Sequence, residues 1–513
     1  VSERFAAALS VLPEYLSAHV VLSAAAMALG FSLSVLLAIA AVRSARVRWP
    51  VLLFASVVQT VPGLALLALF YPLLLALSAL STRLFGSGFS ALGFLPSLLA
   101  LALYSMLPVI RNGVTGILNL DPALGEAARG VGMTDWQRLV RVELPLAAPM
   151  FMAGIRTAAV WVIGAATLST PVGQTSLGNY IFTGLQTQNW VDVTFGCVAA
   201  AALALIVDQL LALVESGVVR RRPLRIGAGA ALLAVGVSFA SFARIGGGDT
   251  YVIGAKNFTE QFVLATLLSD RIRDEGGAAT QRPGLGSTVA YEALAAGEID
   301  AYVDYSGTLW SNVLHRTDNL PRSELINDLR ARLAERNGVR LLGTLGFENA
   351  YTLAMRADRA RELGIRTIAD LAMRARGLTI GADLEFFARP EWPALRDAYG
   401  LEFASRREFS PTFMYSAVAE GEVDVVTAFS SDGRIAANDL VVLDDPRRAI
   451  LSYDAIVLLA PSRANDPLLA RAFGPLLDAI SVEVMREASL RVDRDTDKES
   501  PAAAARWLEE RIR

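Results

Sequence analysis

Six apolar stretches occupy the first half of this chain, at residues 17–42, 51–78, 90–110, 149–170, 191–214 and 225–245. Each is long enough to cross a bilayer, which takes about 20 predominantly apolar residues. One such run is compatible with a buried helix in a soluble core. Six in succession predict a membrane bundle, because the bilayer core admits only segments that satisfy their own backbone hydrogen bonds. The second run contains Pro62-Gly63 and Pro72, which predicts a kink or tilt within it.

The second half is of another kind. Residues 1–248 carry 15 Arg/Lys against 9 Asp/Glu, a charge of +6, whereas residues 249–513 carry 32 against 41, a charge of −9. A membrane domain joined to a soluble domain accounts for the split. Disorder is excluded by 53% hydrophobic residues and a net charge of only −3. A single cysteine, Cys197, excludes a disulfide framework. With only His19 and His315 beside it, no metal centre and no cofactor is expected. The acidic soluble half lacks a basic patch, so nucleic acid is not an expected partner.

Arginine placement orients the bundle. The links after the first, third and fifth runs hold Arg43, Arg46 and Arg48; Arg111, Arg129, Arg138 and Arg141; and Arg220, Arg221, Arg222 and Arg225. The alternate links hold Arg83 and nothing between Pro171 and Trp190. The positive-inside rule places the three arginine-rich links in the cytoplasm. The N-terminus is then outside, and the sixth run leaves the membrane on the outside near Arg244. Everything after Gly246-Gly247-Gly248 is expected to be extracytoplasmic. The first run is too long for a cleavable signal and lacks its flanks.

The soluble half alternates strand and helix patterns. Strands are expected at Tyr251–Ala255, Ala301–Asp304, Tyr351–Met355, Leu378–Ala382, Val423–Ala428, Leu440–Leu443 and Ala455–Leu459. Between them lie amphipathic stretches at Glu260–Glu275, Arg322–Asn337 and Pro411–Gly421, with Thr259 and Ser410 as expected caps. Such alternation predicts an α/β domain with a mostly parallel sheet, and about 265 residues suit two lobes. Glu292–Asp300 (EALAAGEID, then AYVDYSG) is echoed by Ser416–Asp424 (SAVAEGEVD, then VVTAFSSDG). We read these as equivalent units, one per lobe, each pointing a strand end at a shared cleft.

The link Asp121–Pro145 is too long and patterned for a passive connection. Asp121-Pro122 is a helix start, Gly130 and Gly132 allow a sharp turn, and Leu144-Pro145 returns the chain to the membrane. Glu126-Ala127-Ala128, then Gly132, then Leu144-Pro145 resemble the coupling loop of binding-protein-dependent ABC importer permeases. The resemblance implies that this short helix docks on a cytoplasmic ATPase. A phosphate-binding loop needs Gly-x-x-x-x-Gly-Lys-[Ser/Thr]. The only lysines are Lys256, between Ala255 and Asn257, and Lys498, between Asp497 and Glu499. The ATPase is therefore expected to be a separate subunit.

The segments Gly254–Phe262, Tyr302–Thr308, Glu348–Ala354 and Asp424–Arg434 resemble substrate-binding proteins for glycine betaine, choline, carnitine and related quaternary amines, ergothioneine included. Some members fuse permease and binding domain in this order, so the resemblance spans essentially the whole chain. It implies a six-helix, all-α polytopic permease domain at 1–245 with a coupling loop at about 118–147. A linker at 246–250 leads to a two-lobed α/β periplasmic-binding-protein-like domain of type 2 at 251–513. Lobe 1 is expected at about 251–348 plus 455–513, and lobe 2 at about 349–454.

A quaternary ammonium cannot donate an N–H hydrogen bond. Aromatic faces hold it at about 0.5–2 kcal/mol per ring, and several must converge at strand ends between lobes. Tyr305, Tyr351, Phe429 and Tyr453 stand at such places, with Phe258 a fifth. By resemblance Tyr305, Asn349, Tyr351 and Thr308 match binding positions, and Phe429 stands where a tyrosine is expected. Arg389, in Glu385–Pro390, suits a ligand carboxylate. Gln261 and Asp432 are further polar candidates, Asp432 alternatively as a helix cap.

These features predict an importer subunit of the bacterial inner membrane, permease and receptor in one chain. A permease homodimer and two ATPases are expected, since six helices line at most half a pore. A membrane-tethered solute sensor is the competing class, but no internal link is long enough for a cytoplasmic output domain. An enzyme lacks a nucleophile–base pair or metal cluster to build on.

Overall fold

The computed structural model describes residues 2–86, 88–187, 189–245, 250–316, 318, 320–383, 386–389, 391–494 and 496–512. The glycines at 246–248, within the expected linker, lie outside the described residues, as do Glu385 and Pro390 of the motif around Arg389. Contacts divide the chain into two units, residues 1–182 with 191–247 and residues 183–190 with 248–513. Each is described by itself.

Among the described residues six helices are long and apolar enough to cross a membrane, over 8–43, 63–85, 94–118, 135–172, 190–219 and 223–242. The first belongs to one long helix α1 (Ser2–Arg43). The second run expected at 51–78 is not one kinked helix. It is broken into α2 (Ala45–Thr60) and α3 (Gly63–Phe85), so the span begins at Gly63. The cause is local: a residue before proline is driven from the helical region, and Val61 and Pro62 are both extended, with ψ of 128° and 136°. The Tyr104 hydroxyl donates to the Val61 carbonyl freed by the break.

Helix α4 (Phe94–Leu118) is the most enclosed span and packs against α1 and α7 (Leu144–Ala166). Gly113 and Gly154 permit the α4–α7 approach: a Cβ on Gly113 would lie 2.3 Å from the Phe151 ring, and one on Gly154 2.8 Å from the Pro108 carbonyl oxygen. Small residues serve this purpose in membrane bundles. Polar groups are paired across helices. His19 Nε2 lies 3.0 Å from the Ile163 carbonyl while its Nδ1 accepts from the Leu177 amide. Arg156 on α7 holds Asp208 with two bonds of 2.9 Å and Glu215 at 2.7 Å, both on α9 (Trp190–Val219).

The second unit holds two five-stranded sheets. One has the order β2 (Ala278–Leu285), β1 (Thr250–Lys256), β3 (Ala301–Tyr305), β10 (Asp454–Leu459), β4 (Arg340–Glu348). The other runs β7 (Ser405–Phe409), β6 (Thr379–Asp383), β8 (Val425–Phe429), β5 (Tyr351–Arg356), β9 (Leu440–Val442). The sheets are mixed rather than mostly parallel. In each, the strand that enters after the chain crosses from the other sheet, β5 or β10, runs antiparallel to both neighbours.

The internal repeat is real at the level of contacts. β3 and β8 each occupy the centre of their sheet, preceded by the helices Ser287–Ala295 and Pro411–Ala419. Asp300 accepts from the Val252 amide and Asp424 from the Thr379 amide, at 2.7 and 2.9 Å. The two repeats thus pin the adjacent strand in the same way. The chain crosses between sheets at Glu348–Tyr351 and again between β9 and β10.

Candidate ligand-binding and coupling sites

A cavity of about 190 Å³ opens between the C-terminal ends of β3 and β8 and the start of β5. Tyr305 ends β3, Phe429 ends β8, and Tyr351 begins β5 directly opposite Phe429. Phe258 sits just before the helix α11 (Thr259–Asp274), and Tyr453 just before β10. All five aromatics line the cavity. Phe258 stacks on Phe429 and Tyr305 at 6.2 and 6.1 Å between ring centres, and Tyr351 tilts against Phe429 at 4.8 Å. Several π faces therefore converge on one space.

Thr308, Asn349 and Arg389 line the same cavity. Arg389 is buried, donates to Glu391 at 3.2 and 3.4 Å and to the Tyr453 hydroxyl at 3.2 Å, and lies 5.2 Å from the Tyr351 ring centre. A guanidinium held by one carboxylate and one ring keeps a fixed orientation.

Gln261 and Asp432 do not reach the cavity lining. Gln261 sits behind Tyr305 and donates to its hydroxyl at 2.8 Å. Asp432 pairs with Arg434 at 2.6 Å and accepts from the Arg434 amide, while Gly433 holds the cap position of the helix that follows. Thr259 does not cap α11 either; its hydroxyl goes to Asp493 at 2.6 Å, and Phe258 occupies the cap position.

Sequence reasoning missed Lys256, Asn257, Ser287, Asp383 and Arg434 in the lining, and Glu260 behind it. Lys256 forms a buried ion pair with Asp304, whose other oxygen accepts from Tyr302 at 2.5 Å. A lysine next to an expected strand was a usable signal, since only two lysines exist. Glu260 is buried at the start of α11, and burial pushes its carboxyl up to about 7 against the bonds from Ser431, Tyr305 and Asn349. Burial likewise raises Asp493 to about 7, opposed by the Arg434 guanidinium.

Gly307 sets the position of Tyr453. A Cβ there would lie 2.7 Å from the Tyr453 ring and 2.9 Å from the Ser452 carbonyl oxygen. The backbone atom cannot give way, so Gly307→Ala displaces the ring; overpacking of this kind costs about 1–3 kcal/mol. The expected result is a lower melting temperature together with weaker ligand binding, read by thermal unfolding with and without ligand. An unchanged ligand-induced shift would show that Tyr453 is not held by this contact.

In the first unit the cytoplasm-assigned link folds into α5 (Pro122–Gly130) and α6 (Asp135–Arg138). Asp121 caps α5 by accepting from the Ala123 amide at 2.9 Å, with Pro122 at the first helical position. Glu126 and Ala127 are exposed and Ala128 is buried. Gly132 takes φ of +80°, and Thr134 with Gln137 forms a capping box for α6. Glu143 joins Arg138 and Arg43 at 2.8 and 3.2 Å, tying α6 to the end of α1 before Leu144-Pro145 opens α7. Leu124, Val131 and Trp136 are exposed, Val131 at 75% and Trp136 at 70%. Bulky apolar side chains this open on so short a segment suit a docking surface.

Comparison with known proteins finds relatives for both units. Residues 249–510 match the family described as the substrate binding domain of ABC-type glycine betaine transport systems. Residues 30–220 match the binding-protein-dependent transport system inner membrane component. The ergothioneine transport permease/ergothioneine binding protein EgtU of Helicobacter pylori is 25% identical over 496 residues, covering 93% of this chain and 86% of that protein. The glycine betaine/carnitine/choline transport system permease protein OpuCB of Bacillus subtilis is 39% identical over 197 residues, covering 38% of this chain and 83% of that protein. A crystal structure of a glycine betaine/carnitine/choline ABC transporter is 24% identical, covers 51% of this chain and 98% of that one, and superposes with a TM-score of 0.45. The chain belongs to the glycine betaine/choline/carnitine family of ABC importers, as a fusion of the inner-membrane permease with its substrate-binding domain.

Proposed function

We propose that this chain captures a small quaternary ammonium zwitterion outside the inner membrane and passes it inward through its own permease domain. The observation that carries the reading is the convergence of Phe258, Tyr305, Tyr351, Phe429 and Tyr453 on one cavity that Arg389 also lines. The rings suit a cation that offers no N–H. Arg389 suits the carboxylate of glycine betaine, carnitine or ergothioneine, which choline lacks. Ergothioneine has a particular claim, because the similarity to EgtU runs through permease and binding domain together.

In this reading residues 1–245 form the membrane domain and 251–513 the extracytoplasmic receptor, with lobes at about 251–348 plus 455–513 and about 349–454. Two copies form the pore. Energy comes from a separate ATPase that docks on Glu126–Gly132, since neither Lys256 nor Lys498 stands in a phosphate loop.

Calorimetry of the full chain in detergent, with glycine betaine, choline, carnitine and ergothioneine, tests the ligand class. At least one zwitterion is expected to bind more tightly than choline. Absence of heat from all four rejects the reading.

A further inference from the structure

A buried carboxylate stands behind the aromatic rings, its neighbouring cations paired with other carboxylates. Glu260 is 3% exposed. One of its oxygens accepts from the Tyr305 hydroxyl at 2.5 Å and from the Asn349 side-chain amide at 3.2 Å; the other accepts from the Ser431 hydroxyl. Among the described residues no arginine or lysine forms an ion pair with it. Burying a charge in this way is costly unless something compensates it. The neighbouring cations are already committed, Lys256 to Asp304 and Arg434 to Asp432.

Asn349 shows where the compensation belongs. Its NH₂ group is given to Glu260, so its carbonyl oxygen Oδ1 is turned the other way. That oxygen is buried and has no hydrogen-bond partner among the described residues, and Asn349 lines the ligand cavity together with Phe258 and Phe429. A buried acceptor without a donor costs about 1–3 kcal/mol, and a methyl-clad cation resting on it would offset that. The Tyr305 hydroxyl, donating to the same carboxylate, makes its ring richer in electrons and so a better cation–π face.

We propose that Glu260 is the counter-charge of the ligand site: a positioning residue that, through Asn349 Oδ1 and the Tyr305 ring, seats the ligand's cation at the Phe258–Phe429 end of the cavity. Arg389 then takes the carboxylate at the other end, so the site reads the direction of the ligand dipole. The proposal rests on the quaternary-ammonium reading above.

It has a pH signature. The groups facing Glu260 are Tyr305 on β3, Asp432 and Arg434 after β8, Asp493 at the end of the helix Val482–Asp493, and the Lys256–Asp304 pair beyond Tyr305. A bound cation favours the ionised carboxylate, so ligand affinity rises as pH passes upward through about 7 and levels off above it. In the empty protein the sign is opposite: the raised carboxyl lowers folding stability as pH climbs from 4.5 to about 7.

The test is Glu260→Gln in the full chain, which keeps shape and hydrogen-bonding capacity but removes the charge. Glycine betaine and choline are titrated beside their uncharged-head isosteres, 3,3-dimethylbutanoate and 3,3-dimethylbutan-1-ol. The expected result is a loss of roughly tenfold or more for both cations at pH 8, a flattened pH profile, and unchanged isostere binding. Ser431→Ala, which removes a donor that favours the ionised form, is expected to move the pH rise upward while the affinity reached on its alkaline side stays within about threefold of that of the unaltered chain. Equal losses for cations and isosteres, or unchanged cation binding with the pH rise intact, overturn the proposal. Failure of the wild-type chain to bind any cation instead rejects the ligand class itself.

Discussion

Substitution of Gly132 by valine is expected to reduce ATP-driven uptake to background and to leave ligand affinity unchanged. Gly132 closes the turn between α5 and α6, where its amide donates to Arg129 at 2.9 Å and the next amide, of Met133, donates to Ala128 at 3.1 Å. The obstacle to a side chain is conformational, not steric: φ is +80° and no atom lies within 4 Å of a Cβ placed there. A left-handed conformation costs an L-residue about 1–2 kcal/mol, with β-branched residues the worst case. The turn escapes that cost by rotating to negative φ. Doing so swings α5 away from α6, which Arg138, Glu143 and Arg43 hold to the end of α1. Leu124, Val131 and Trp136 would then no longer present the surface proposed for the ATPase. Uptake of labelled ligand in cells lacking their own transporter, beside calorimetry on the purified chain, separates the two functions. Gly132→Ala, less restricted, is expected to fall between. Normal uptake by Gly132→Val would deny this segment its coupling role.

What was legible in the sequence follows burial. The six strands inside the two sheets, β1, β3, β10, β6, β8 and β5, each carry an apolar run and were all expected. The three strands that were missed, β2, β4 and β7, are all sheet edges. Their sequences, with Arg282-Pro283-Gly284 in β2 and Arg406-Arg407-Glu408 in β7, look unlike strands for a physical reason. Edges tolerate proline and carry charge, which discourages pairing with other chains. Pro62-Gly63 and Pro72 predict a kink or tilt, yet whether a proline kinks or breaks a helix depends on a partner for the freed carbonyl, here Tyr104 for Val61, far away in sequence.

The site divides the same way. Aromatics at strand ends were legible because a strand's end fixes where its residue points. Glu260 carries no signal of its own in the sequence, because a carboxylate in a first helical turn is common. Only the fold reveals that this turn is buried and that Asn349 and Ser431 close over it. Gln261 was expected at the ligand because it stands at a helix start, and Asp432 because it stands beside Phe429. In space each supports a neighbour instead, Gln261 the Tyr305 hydroxyl and Asp432 the Arg434 guanidinium.

Tyr351→Ala is expected to weaken ligand binding by roughly a hundredfold, and Tyr351→Phe by less than about threefold, since 1.4 kcal/mol corresponds to each factor of ten. The ring has three roles that alanine removes together. It offers one π face to the proposed cation, at about 0.5–2 kcal/mol. It packs against Phe429 at 4.8 Å and Phe386 at 5.2 Å between ring centres, fixing the rest of the cage. It also supports the Arg389 guanidinium at 5.2 Å, and hence the group proposed for the ligand carboxylate. Phenylalanine keeps all three. Titrating each variant with glycine betaine and with choline apportions the loss. The part that acts through Arg389 appears only with the zwitterion, while the π contribution and the packing appear with both. If Tyr351→Phe loses as much as Tyr351→Ala, the hydroxyl and not the ring carries the binding, and the aromatic cage is the wrong description of this cavity. If alanine costs glycine betaine much more than choline, Tyr351 matters chiefly as the platform for Arg389, and the carboxylate end of the ligand is the better determined of the two.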